Sequence, residues 1–148
     1  MASFRQFVWD PALLVCQIIC MQSCYYAIET SLMVLASTIG YEPSLSAVFS
    51  VQTTRFQAFC QLIASIGCAY ALSIVVTRAK QCLDFAVTLH IFHIIFAAFY
   101  NTTFPKQFIW WSLQVISCTV CTVLGEYLCM RAESQEITLE GGPSRYQL

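Results

Sequence analysis

An all-α, polytopic membrane protein, a four-transmembrane-helix bundle with both termini cytosolic, is what the 148-residue sequence predicts. Three observations carry this expectation. Charge is confined to short segments: between Asp10 and Glu42 only Glu29 is charged, and the intervals Arg55 to Arg78, Asp84 to Lys106 and Lys106 to Glu126 contain no Asp, Glu, Lys or Arg. Composition agrees, with 58% hydrophobic and 10% charged residues, where soluble domains carry about 25% charged. Basic residues are also lopsided. Arg5, Arg78, Lys80, Arg131 and Arg145 fall with the termini and the second loop, against Arg55 and Lys106 in the first and third loops. Positive loops stay cytoplasmic, which directs the termini to the cytosol.

A helix rises about 1.5 Å per residue, so about 20 apolar residues cross a hydrocarbon core about 30 Å thick. The four charge-poor stretches supply spans at about 11–39, 56–77, 85–104 and 108–128. The first starts with Asp10 as helix cap and Pro11 at the first helical position, and stops at Gly40 before Glu42 and Pro43. It is long enough to tilt, and it reads as an uncleaved signal anchor because its apolar run exceeds that of a signal peptide. Pro105 marks the turn between spans three and four. The resulting organisation is a cytosolic segment at 1–10, a transmembrane domain at 11–131 and a disordered cytosolic tail at 132–148, where Glu133, Glu136, Glu140 and Gly141-Gly142-Pro143 gather. This leaves no room for a soluble catalytic domain. A net charge of −1 offers no basic patch for nucleic acid.

None of the nine cysteines lies in the first or third loop, so no disulfide-bonded lumenal loop is expected. Cys16, Cys20 and Cys24, Ser65, Ala69 and Ser73, and Ser117, Cys121 and Gly125 each recur every four residues. Such small-residue rows let helix backbones approach closely in lipid, where no hydrophobic effect drives association, and they are read as three packing seams. Cys118 and Cys121 have redox-pair spacing but lie inside an apolar helix, so packing is the expectation there too. Cys82 and Cys129 fall at the cytosolic rim, where S-acylation is chemically open. Asn101-Thr102-Thr103 is a formal glycosylation sequon in a loop short enough to be left unused.

Glu29 lies about two-thirds along span one. A carboxylate in that position costs several kcal/mol unless protonated, hydrated or paired, so it is either a proton or ion site or a residue carried to the interface by a tilted helix. His90 and His93, three residues apart, share a face of span three. Zinc takes at least three protein ligands, so the pair alone makes no metal site. The expectation is an intramembrane polar clamp of His90, His93 and Gln114, with Ser117 at the same level. Asp84 and Glu126 should meet at the cytosolic rim, where Arg78, Lys80 and Arg131 keep both ionised rather than splitting them into an acid and a base. Phosphate loops, His-Glu-x-x-His and nucleophile elbows are absent from the sequence, so no enzyme and no cofactor is expected.

Several strings mix charged, aromatic and cysteine residues in fixed order: Phe7-Val8-Trp9-Asp10-Pro11, Lys80-Gln81-Cys82-Leu83-Asp84-Phe85, Val87-Thr88-Leu89-His90-Ile91-Phe92-His93 and Gly125-Glu126-Tyr127-Leu128-Cys129-Met130-Arg131. With Phe99-Tyr100, Phe104-Pro105, Trp110-Trp111 and Gln114, they closely resemble the Sys family of four-span Golgi membrane proteins, over residues 4–137. The first loop is shorter than the family's longer versions, and Glu29 is not part of the shared pattern. The resemblance implies a multi-pass protein of trans-Golgi membranes that acts as receptor for an Arf-related small GTPase, N-terminally acetylated rather than myristoylated. Through it an Arf-like GTPase and GRIP-domain golgins are recruited for vesicle tethering. A receptor for a cytosolic GTPase must present its surface at the cytosolic rim, which nominates Trp9, Asp10, Arg78, Lys80, Asp84, Glu126, Tyr127 and Arg131, beside an apolar groove between spans. The alternative is a small proton- or metal-coupled transporter using Glu29, His90 and His93.

Overall fold

A computed structural model describes residues 10–50 and 52–140. Trp9 and the other residues of the 1–10 segment before Asp10 lie outside the described residues. Among the described residues five α-helices follow one another: α1 (Pro11–Ala36), α2 (Leu45–Val48), α3 (Arg55–Val75), α4 (Cys82–Asn101) and α5 (Phe108–Glu140). Four of them, with short extensions, are long and apolar enough to cross a membrane, and no strand occurs among the described residues.

Helix ends follow from local chemistry. Asp10 caps α1 by accepting from the Ala12 N–H at 3.1 Å, with Pro11 in the first turn. A 3-10 turn at Ser37–Ile39 follows α1, and Gly40 then takes φ +89°, a backbone angle that glycine adopts without steric cost. α3 opens on a capping box: the Gln57 N–H donates to Thr54 Oγ1 at 3.3 Å, and the Thr54 N–H donates to Gln57 Oε1 at 3.0 Å. α3 and α4 terminate before Thr77 and at Thr102, both at positive φ. A second 3-10 turn, Ala79–Gln81, leads into α4.

The spans are arranged in a ring. α3 packs against α1 and α5, and α4 against α5 and α1, whereas the consecutive helices α3 and α4 hardly touch. Two of the three small-residue rows build this ring. Ser65 and Ala69 of α3 and Ser117 and Cys121 of α5 are all 0% exposed. A Cβ on Gly125 would come within 3.0 Å of Leu72 Cδ1, so only a small residue at that position lets α5 close on α3. The third row behaves otherwise: Cys16 and Cys20 are exposed and Cys24 half-buried. α1 turns Met21, Tyr25, Glu29 and Met33 inward instead, a line four residues apart on which large side chains fill the gap to α3 and α4. The close approach of α1 to α3 rests on Gly67, where a Cβ would lie 2.6 Å from Ile28 Cδ1.

The tail departs from the disorder expected from residue 132. α5 continues as a helix of 33 residues, about 50 Å at 1.5 Å per residue and well beyond a bilayer's hydrocarbon core. Ala132, Glu133, Gln135 and Glu136 are good helix formers. The extension is also tied down, because Glu133 Oε1 accepts from the Ala79 N–H at 3.3 Å. Residues 141–148 lie outside the described residues.

Candidate functional site

One end of the bundle collects the mixed-charge residues. Gln17 Nε2 of α1 donates to the Val75 carbonyl at 2.9 Å, which brings the start of α1 beside the end of α3. The Glu133–Ala79 bond and a 3.4 Å approach of Cys82 Sγ to Cys129 Sγ bring the second loop and the start of α4 beside the late part of α5. Asp10, Arg78, Lys80, Asp84, Tyr127 and Arg131 are exposed at this end, and Glu126 is half-buried. Asp84 and Glu126 sit just inside the Cys82–Cys129 contact, on neighbouring helices. Both thiols are 0% exposed. They occupy the α4–α5 contact itself, so the rim does not offer them to an acyl donor, contrary to their placement as acylation candidates.

The opposite half of the bundle holds a buried polar layer. His90 and His93 are 4% and 3% exposed and Gln114 is 3% exposed. The expected bonds from the histidines to Gln114 are not made. His93 Nδ1 lies 3.2 Å from the Tyr26 hydroxyl of α1, and His90 Nδ1 donates to the Ala86 carbonyl of its own helix at 2.9 Å. Both carboxamide atoms of Gln114, His90 Nε2 and the Ser117 hydroxyl are buried without partners. The reason is the ring arrangement: α1 lies beside α4, and Tyr25 packs edge-on to His93 at 5.5 Å and to His90 at 6.2 Å, so the tyrosines take the place assigned to α5. Phe49, just after α2, stacks on His93 at 6.4 Å and meets Tyr26 and Tyr100.

Glu29 lies within this half, 3% exposed, with Oε2 lacking a partner. It is therefore inside the protein rather than at an interface. The first loop folds over it. Gln57 Nε2 donates to the Ala47 carbonyl, and Asn101 Nδ2 donates to the Phe49 carbonyl at 2.5 Å and to the Ala97 carbonyl at 2.7 Å. Asn101, the sequon residue, thus has its amide occupied by the fold. No group of three or more His, Cys, Asp or Glu side chains able to hold a metal ion occurs among the described residues.

The geometry gives a membrane-spanning bundle with a charged rim at one end and a closed polar layer towards the other. A family model described as "Integral membrane protein S linking to the trans Golgi network" matches residues 4–139, nearly the whole chain. The chain belongs to the SYS1 family. Among SYS1 relatives, a SYS1 homologue of Nematostella vectensis is 35% identical, covering 97% of this chain and 96% of its own length. A SYS1 homologue of Dictyostelium discoideum is 32% identical, over 94% of this chain and 63% of the relative. The SYS1 protein of Saccharomyces cerevisiae is 28% identical, over 93% and 72%. No solved structure matches the chain. SYS1 membership makes this a multi-pass integral membrane protein linked to the trans-Golgi network. The description of the SYS1 family is that of an integral membrane protein.

Proposed function

We propose that this protein is a non-catalytic membrane receptor that recruits an Arf-related small GTPase to trans-Golgi membranes, and so supports golgin recruitment and vesicle tethering. The observation that carries the reading is the rim. Asp10, Arg78, Lys80, Asp84, Glu126, Tyr127 and Arg131 gather at one end of the bundle, six exposed and one half-buried. Surface residues of both signs beside an exposed aromatic suit recognition of a folded partner, because charge complementarity sets orientation and an aromatic supplies contact area. The same residues could equally anchor the bundle at the headgroup level, which is why the test perturbs charge rather than size. α5 holds Tyr127 and Arg131 on one continuous helix, a rigid support for such a surface. Both termini face the cytosol in this reading, in keeping with the excess of basic residues on their side.

Deleting the chain in its own cells should release the GTPase from Golgi membranes into the cytosol, and restoring the wild-type chain should return it. Asp84→Lys and Glu126→Lys, in chains that still reach the Golgi, should fail to return it. Unchanged Golgi attachment of the GTPase in the deleted cells would sink the receptor reading, and full rescue by both variants would remove these two residues from the surface.

A further inference from the structure

The least comfortable group in the molecule is Glu29, a carboxylate buried among membrane helices with no cationic side chain beside it. Its unpartnered Oε2 is not alone: Thr53 Oγ1 and Gln61 Nε2 are also buried without partners. All three residues line one chamber, together with Gln57, His93 and Trp110. Its walls come from α1, the first loop, α3, α4 and α5, on the side of the first and third loops. The chamber's volume is about 10 Å³, the threshold for a single water. No Lys or Arg lines it. The titratable groups facing Glu29 are Tyr25 and Tyr26 on its own helix, Cys60 and Cys68 on α3, and His93 on α4. Trp110 of α5 adds none, and neither does the first loop.

Size and charge define what fits. One negative charge calls for one positive charge, and the space admits one atom of water size. The carboxylate, hydroxyl and carboxamide donors are hard oxygen chemistry. Gln61 can present its amide hydrogens to a water or, turned over, its oxygen to a cation, since the two ends of a carboxamide are nearly isosteric. We propose that the chamber is a binding site for a single monovalent positive charge admitted from the side of the first and third loops. That charge is either a proton on Glu29 bridged by one water, or a sodium-sized cation in the water's place. Occupancy ties α1 to α3 through Glu29 and Gln61, so the site couples an ion on that side to the packing of the first helix.

The test uses the full chain in nanodiscs of neutral lipid and follows the unfolding midpoint by tryptophan fluorescence. In one arm sodium chloride replaces choline chloride at constant ionic strength and pH. In the other, pH is varied from about 5 to 8 in choline alone. A response in the first arm assigns a metal cation, with the folded-to-unfolded ratio rising about 100-fold at 100 times the dissociation constant. A response in the second assigns the proton, with up to tenfold per pH unit for one linked proton. Glu29→Gln, neutral and isosteric, should be flat in the responding arm. Thr53→Val should weaken the response and serves as the deciding variant where Glu29→Gln does not fold. A wild type flat in both arms, a Glu29→Gln chain that responds like it, or, where that chain does not fold, an undiminished response in Thr53→Val, overturns the proposal.

Discussion

Gly125 tests whether the α3–α5 seam is held by backbone proximity. A Cβ there would lie 3.0 Å from Leu72 Cδ1, 3.7 Å from Leu72 Cβ and 3.8 Å from Cys82 Sγ, where optimal carbon contacts are about 3.5–4.0 Å. Alanine therefore requires only that the flexible end of Leu72 yield by a few tenths of an ångström. That small cost is opposed by about 1 kcal/mol of helix propensity gained over glycine, so Gly125→Ala should leave stability nearly unchanged. Leucine has no such escape. Its further carbons run into Leu72 Cβ and Cys82, atoms fixed to their own helices, and overpacking of this kind costs about 1–3 kcal/mol. The folded-to-unfolded ratio should drop by roughly tenfold for each 1.4 kcal/mol. Equilibrium unfolding in mixed micelles, titrated with a denaturing detergent and followed by circular dichroism, measures it. Leu72→Ala alone leaves a cavity at a 0% exposed site. Combined with Gly125→Leu it should destabilise by less than the sum of the two, with a coupling above about 0.5 kcal/mol. A neutral Gly125→Leu, or strict additivity of the pair, would refute the close-approach account.

Three further outcomes are expected. Thr54→Ala removes half of the capping box of α3 and should cost about 1 kcal/mol, seen as faster amide exchange at the first turn of α3 against an unchanged α5. Tyr26→Phe removes the hydroxyl 3.2 Å from His93 Nδ1 and should cost about 0.5–1.5 kcal/mol, with a shift in the His93 ring resonances that a merely steric role of Tyr26 would not produce. Cys82 and Cys129, with sulfurs 3.4 Å apart against about 2.05 Å in a disulfide, should be bridged within one chain when membranes are treated with an oxidant. Mass spectrometry should find that bridge and no acyl group on either sulfur in native membranes. An acylated Cys82 or Cys129 contradicts their burial.

The spans and their ends were legible because they rest on strong local signals. Charge-free runs mark the helices, and Asp10, Pro11 and Gly40 act within a turn of themselves. Which face of each span turns inward was harder to read. In a helix that is apolar all round, hydropathy carries no direction, so the regular row Cys16, Cys20 and Cys24 looked as suitable a seam as Ser117, Cys121 and Gly125. The choice was made by volume: Met21, Tyr25 and Met33 fill a gap that small residues would leave empty. The histidine partners are hidden from the sequence for a related reason. A hairpin of α4 with α5 places Gln114 level with His93, but the neighbour that supplies Tyr25 and Tyr26 is α1, more than 60 residues away in the chain. The rim was the reverse case. Its residues are scattered from Asp10 to Arg131, yet each lies at a span end, and alternating directions bring span ends together without further information. The continuation of α5 through Glu140 agrees with its helix-forming composition, while acidic residues of the same stretch equally suit a solvated tail, so composition alone does not decide between the two.

The ring order of the helices has a consequence for how the protein is made. With α3 and α4 separated and α5 between them, a chain synthesised only as far as Asn101 has no surface that could complete its interior. Ser65 and Cys68 of α3 and the inner faces of α4 would meet lipid until the final span arrives. The fourth span, α5, is thus the one that closes the structure. Assembly of this bundle is delayed until α5 has been made, and a chain cut short before Phe108 is left as three spans exposing polar groups for a membrane quality-control system to find.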